Sequence, residues 1–158
     1  MTAPAYSSRV TPTVPKMDDG FRTLISFSSD TDVGFYEKTV KPFGYDGGDE
    51  IPTSTMHNDV WRTFAARQLK TLSPSTGTAA YSPDALSAIL ALINVPQSIT
   101  IHFPSGDAMS AYGYLKRFDI QDHQEGQQPE AQYEIVWTNT DPSTGAIEGP
   151  AYHNNPGT

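Results

Sequence analysis

The side chains best suited to chemistry in this chain are scattered. Its four histidines, His57, His102, His123 and His153, stand far apart, and no pair has the spacing that sets two imidazoles on one metal. They read as solvated or locally hydrogen-bonded side chains. Asp46-Gly47-Gly48-Asp49-Glu50 resembles half of a calcium loop but misses the EF-hand register of alternating ligands and a distant glutamate, so it reads as a turn. Its glycines are followed by no Gly-Lys-Ser/Thr, and no serine sits in a Gly-x-Ser-x-Gly elbow. A hydrolase built on His123 with Asp119 or Asp122 would have no evident nucleophile. These patterns argue against an enzyme and call for no metal or cofactor.

Trp61-Arg62 and Arg67-x-x-Lys70 point instead to binding, because tryptophan and arginine dominate interface hot spots. The competing reading makes Trp61 a cap on the domain's own core, with the basic residues on a solvated face. The span that carries them, Lys41 to Leu72, opens with turn chemistry and keeps Phe43, Tyr45, Trp61 and Phe64 without a clean helical or strand period. Connections in compact domains have a median of about 4–6 residues, and longer ones are typically functional or disordered. Disordered segments avoid aromatics. The span is therefore expected to be a long arm, over residues 43–72, that becomes ordered against another copy of the chain. Tyr45, Asp46, Asp49, Glu50, Trp61, Arg62, Arg67 and Lys70 are its candidate interface residues.

Composition narrows the setting. The 158 residues suit one domain able to bury a true core. There is no cysteine, which excludes disulfides, thiolate chemistry and the common zinc scaffolds. No apolar run reaches the roughly 18 residues of a spanning helix, and the N-terminus lacks a signal-peptide core. No membrane anchor is expected, and synthesis in the cytoplasm is. A net charge of −8 does not suit gripping nucleic acid, which needs clustered Lys and Arg, although the chain could surround it. Only 18% of residues are charged while Gly and Pro number 12 and 13, which favours a turn-rich β protein.

The elements follow from pattern. Residues 1–17 hold Pro4, Pro12 and Pro15 without hydrophobic period and read as a flexible N-terminal arm. Phe21–Ser28 and Val33–Lys41, joined by a polar turn, look like a hairpin. A short strand is expected over Thr76–Tyr81, then a helix over residues 83–94. Ser82 is its expected N-cap, Pro83 its N1 residue, and Leu86, Ile89, Leu90 and Ile93 its buried stripe. Ile99, Ile101 and Phe103 alternate in the next strand, and Pro104-Ser105-Gly106-Asp107 turns the chain. The partner strand runs Ala108–Phe118, with Tyr112, Tyr114 and Phe118 on one face and Gly113 marking a bulge or a close backbone approach. Ala131, Tyr133, Ile135 and Trp137 alternate in the last strand, and residues 141–158 read as a tail. The fold class is mainly β: an antiparallel sandwich or barrel over residues 18–140 with one flanking helix and a long inter-strand arm.

In order and spacing the chain resembles the major tail tube proteins of long, non-contractile-tailed bacteriophages. The residues that carry the resemblance are Gly44-Tyr45-Asp46-Gly47-Gly48-Asp49-Glu50-Ile51, Thr53-Ser54-Thr55-Met56, Trp61-Arg62-Thr63 and Leu69-Lys70-Thr71-Leu72. Then come Ala88-Ile89-Leu90-Ala91-Leu92-Ile93-Asn94, Ile99-Thr100-Ile101-His102-Phe103-Pro104-Ser105-Gly106 and Tyr112-Gly113-Tyr114-Leu115. Glu125-Gly126-Gln127-Gln128-Pro129 and Thr138-Asn139-Thr140-Asp141-Pro142-Ser143-Thr144-Gly145 close it. The resemblance implies a virion subunit of six-membered rings that stack into a tube conducting the genome, with the arm reaching the neighbouring ring. It implies as partners further copies of the chain, tape-measure, tail-tip and tail-terminator proteins, and viral DNA passing through the lumen without sequence-specific binding. Contractile-tail and secretion-system tubes share this fold. The alternative from another class is a monomeric carbohydrate-binding module with Trp61, Trp137, Tyr112 and Tyr114 as stacking platforms, although alternation puts Trp137 with the core.

Overall fold

Every strand ladder in the computed structural model, which describes residues 23–29 and 36–154, is antiparallel. The chain runs β1 (Leu24–Phe27), β2 (Tyr36–Lys41), β3 (Tyr45–Asp46), β4 (Ile51–Pro52), β5 (Phe64–Ala65), β6 (Thr71–Leu72) and β7 (Ser75–Ala80). It continues through α1 (Pro83–Leu92), β8 (Gln97–His102), β9 (Ala108–Ile120), β10 (Glu130–Trp137) and β11 (Ala151–His153). The main sheet has the order β1-β8-β9-β10-β7-β2, with β11 added beside β9. Its two ends curl back toward each other into a half-barrel. The expectations placed on residues 1–17, on Phe21 and on the turn at Asp30–Asp32 lie outside the described residues.

Period-two alternation decides which face turns inward. Ile25 and Phe27, Ile99 and Ile101, and Ala131, Tyr133, Ile135 and Trp137 are all buried, as their spacing predicts. Glycine matters where strands crowd. A Cβ on Gly77 would lie 2.1 Å from the Thr39 carbonyl oxygen, and the Tyr133 hydroxyl uses that space to donate a 2.9 Å hydrogen bond to the same oxygen. Gly113 is the close approach, since a Cβ there would meet the Val136 carbonyl at 2.4 Å. The bulge lies elsewhere, at Lys116: Arg117 pairs with Glu134 but Leu115 with Ile135. That extra residue reverses the inward phase of β9. Tyr112 and Tyr114 therefore lie on the outer face while Phe118 packs against the core, and the three do not share a side as expected.

The helix forms where expected and is rotated from its expected face. Of the expected stripe Ile89 is buried and Ile93 packs against the core, but Leu90 is 52% exposed, and Leu92 is buried with Ala85 and Ala88 beside it. The small alanines let the helix sit close to the sheet, which the bulkier stripe would not. Ser82 makes no side-chain cap bond. At the other end Asn94 takes φ 60° and its N–H bonds the Leu115 carbonyl at 3.0 Å, tying the helix terminus to β9.

Two further expectations are corrected. β1 and β2 do not form a hairpin ladder; β1 pairs with β8 and β2 with β7, at opposite ends of the path. They meet through a side chain instead. The Ile25 N–H donates to Glu37 Oε1 at 2.9 Å, because a bulge at Lys38 reorients β2 there. Lys38 itself reaches across β7 to Glu130, an exposed pair worth about 0–1 kcal/mol. The segment read as a tail contributes a strand, since Ala151–His153 pairs with Ala108–Ser110.

Ile89→Ala is expected to cost about 2–5 kcal/mol and Leu90→Ala no more than about 0.5 kcal/mol, as read by urea unfolding. At the seam, Glu37→Ala leaves the Ile25 amide without its acceptor and costs about 1–3 kcal/mol. Glu37→Gln keeps an acceptor and removes a charge whose burial raises its pKa, against the lowering effect of the Ile25 hydrogen bond. A pKa raised in the folded state means that acid favours the fold. Wild-type stability relative to Glu37→Gln therefore rises as pH falls from neutrality through the folded pKa, levelling below the ordinary value of 4.5. Parallel denaturation of the two proteins across that range checks it.

Candidate assembly interface

The long segment after β2 is a β-hairpin. Phe43 is its root: buried among core side chains, it meets Trp137 edge-to-face at 4.9 Å between ring centroids and Tyr45 at 5.7 Å. Trp137 is fixed in turn by an Nε1–H bond to Ser75 Oγ at 3.1 Å. The two limbs are tied where they leave the domain, Gly44 N–H to Ser73 Oγ at 2.7 Å and Ser73 N–H to Gly44 O at 2.9 Å. Phe43 thus belongs to the core, and the arm proper starts after it.

Beyond the root two short ladders follow: Tyr45↔Leu72 with Asp46↔Thr71, and Ile51↔Ala65 with Pro52↔Phe64. The sequence hides them because each is two residues long and the stretch between is irregular. Asp46 Oδ1 accepts the Gly48 N–H at 2.8 Å, and Gly48 adopts φ 77°. Asp46 to Glu50 is therefore a turn closed by its own side chain. Arg67 crosses to this turn and donates from Nε to the Asp49 carbonyl at 2.7 Å. At the tip, Thr53 Oγ1 bonds Thr63 Oγ1 at 2.9 Å, Ser54 Oγ accepts the Thr63 N–H at 2.7 Å, and the Asn58 amide donates to the Trp61 carbonyl at 3.0 Å.

What the arm lacks is a core of its own. Trp61 is 81% exposed, which excludes the reading that it caps the domain, and Tyr45, Met56, Val60, Phe64 and Leu69 are also exposed. A two-stranded hairpin is marginally stable alone in water, and this one carries its apolar side chains outward. Ile51, Ala66, Arg67, Gln68 and Leu69 line an open cavity of about 350 Å3 beside it. All eight charged and aromatic candidates lie on this hairpin: Tyr45 and Asp46 in β3, Asp49 and Glu50 in the turn after it, and Trp61, Arg62, Arg67 and Lys70 along the return. Phe64 is one of the aromatics that marked the arm in the sequence, whereas the aliphatic Met56, Val60 and Leu69 were not among the candidate interface residues, because nothing in the sequence marks them as uncovered.

The other arrangements weighed from sequence are not assembled. Trp137 is 7% exposed and occupied by Phe43, so it offers no sugar platform beside Trp61. His123 sets its ring edge-on to Tyr81, with Nδ1 3.2 Å from the Gln121 carbonyl. His102 Nε2 and Ser26 Oγ form a 3.0 Å hydrogen bond.

No protein-family model matches the chain, and no curated protein matches its sequence. Solved structures do match. A chain from the virion of a native gene transfer agent particle superposes with a TM-score of 0.60 at 8% identity, covering 87% of this chain and 100% of its own. One from the tail of an empty gene transfer agent particle with C6 symmetry gives 0.59 at 7% identity, again covering 87% and 100%. A third, from the six-fold symmetrised baseplate of the anti-feeding prophage, gives 0.54 at 13% identity over 82% of this chain and 94% of that one. The shared feature is the fold: a mainly β, half-barrel sheet with one helix, of the phage tail-tube type.

The contrast between the two tryptophans is testable in the isolated chain. Trp137→Ala is expected to cost about 3–5 kcal/mol of folding stability, and Trp61→Ala no more than about 0.5 kcal/mol, measured by denaturant titration followed by circular dichroism.

Proposed function

We propose that this chain is a non-enzymatic structural subunit of the tail tube of a long, non-contractile-tailed bacteriophage. Copies assemble into hexameric rings that stack into a tube, and the lumen conducts viral DNA to the host cell. The observation that carries this reading is the match of the fold, over 87% of the chain, to a component of a C6-symmetric tail. The arm supports it independently. An ordered hairpin with exposed Trp61, Met56 and Leu69 is the kind of surface that a neighbouring copy covers.

Physical chemistry fits the role. The sheet ends on β1 and β2, strands that a ring of copies can pair or cover, which removes the aggregation hazard of a bare edge. A net charge of −8 on each copy suits a tube that repels DNA weakly instead of holding it, as passage requires. The tape-measure, tail-tip and tail-terminator proteins are the expected partners at the bore and at the two ends.

Electron microscopy with light-scattering mass, over a concentration series of the purified protein, tests this reading. Rings or hollow tubes are the expected result, and a monomer at every concentration, even with tail-initiator proteins added, would overturn it. In the assembled form the amides of residues 43–70 should exchange more slowly than in the monomer. Trp61→Ala should weaken assembly while leaving the monomer folded; equal exchange in both states would remove the arm from the interface.

A further inference from the structure

The charges of the arm are sorted by limb. The outgoing limb, residues 43–52, holds Asp46, Asp49 and Glu50 and no Lys or Arg; the return limb, residues 62–72, holds Arg62, Arg67 and Lys70 and no Asp or Glu. Among the described residues the ion pairs are Lys38–Glu130, Lys116–Glu134 and Arg117–Glu134, so none of these six charges is paired with another described residue. Arg67, the one that crosses the hairpin, donates to the Asp49 backbone carbonyl and not to a carboxylate. Among the described residues each limb also has an unused backbone edge, because there β3 pairs only with β6 and β4 only with β5.

We propose that the arms of adjacent copies join edge to edge, the acidic outgoing limb of one chain against the basic return limb of the next. This rests on the reading of the chain as a ring-forming subunit and says how its arms meet. A rotation that relates neighbouring copies sets an outgoing limb beside a return limb running the opposite way, which is antiparallel pairing. Acidic and basic strands then alternate around the ring, and every charged limb has opposite charge on both flanks. A two-fold contact through one limb would set acid on acid or base on base, so the pairing is head-to-tail and specific for that sense. Pro52 limits its extent. Thr53 N–H bonds inward to the Thr63 carbonyl at 2.9 Å, so alternation places the donor that Pro52 lacks on the outer edge. The ladder therefore stops short of the tip and leaves Met56, Val60 and Trp61 for a contact beyond the ring.

The test uses two variants that spare the hairpin's own bonds through Asp46 and Arg67. D49K/E50K makes both limbs basic, and R62E/K70E makes both acidic; circular dichroism verifies that each is folded. Each alone should need at least about tenfold more protein than wild type to assemble, since like charges then meet at every arm. A one-to-one mixture, and a single chain carrying all four changes, should both assemble at lower protein concentration than either variant alone, because opposite charges again meet between neighbouring arms. If wild type assembles and either variant does so equally well, or if the mixture and the fourfold variant both fail, the edge pairing is overturned while the ring reading stands. A wild type that stays monomeric under the same conditions overturns both.

Discussion

Strand β9 is the member on which the rest of the fold depends. Its first half pairs with β8 on one edge and with β11 on the other, and its second half pairs with β10. The β8 and β10 ladders overlap only at Gly113. Neighbours so staggered along one long strand cannot lie flat, and the sheet curls into a half-barrel. The curl creates the concave side that the helix fills, and the helix terminus is itself hydrogen-bonded to β9 through Asn94 and Leu115. The bulge at Lys116 lets one strand serve both halves, turning Leu115 and then Phe118 inward along a single concave surface.

Much of this was legible in the residues, and the failures share a cause. Ile99/Ile101 and Tyr133/Ile135/Trp137 alternate with no interruption, so their inward face could be read directly. Phe118 could not, because one inserted residue reverses phase and leaves no compositional mark. The helix is legible in Pro83 and its apolar period, but its rotation is not: large apolar side chains suggest the buried face, whereas small Ala85 and Ala88 permit close packing. The apparent β1–β2 hairpin failed for a related reason. A polar turn between two strands shows that the chain bends, not that the flanking strands bond each other. Which partner an edge strand takes is settled by long-range packing, here with β8 and β7.

The arm was recognised as unusual for sound reasons, since length without low complexity asks for an explanation. Its hairpin structure stayed hidden because hydrogen bonds from Thr53, Ser54, Asn58 and Thr63 hold it together in place of a periodic apolar pattern. Polar side chains define its shape, and its large apolar ones are exposed. This division of labour separates an ordered projection from a frayed loop. It also links the arm to the core, because the aromatic series Trp137–Phe43–Tyr45 runs without a break from the buried sheet to the first exposed rung.

The placement of the chain's two tryptophans gives it a built-in optical contrast. One indole is buried and donates to Ser75, while the other stands in water near the tip of a projecting hairpin. Their emission maxima are separated by environment alone, the buried ring to the blue and the exposed one to the red. Neutral quenchers reach the second far more readily than the first. The integrity of the domain and the occupancy of its arm can thus be followed as two colours in one unlabelled sample.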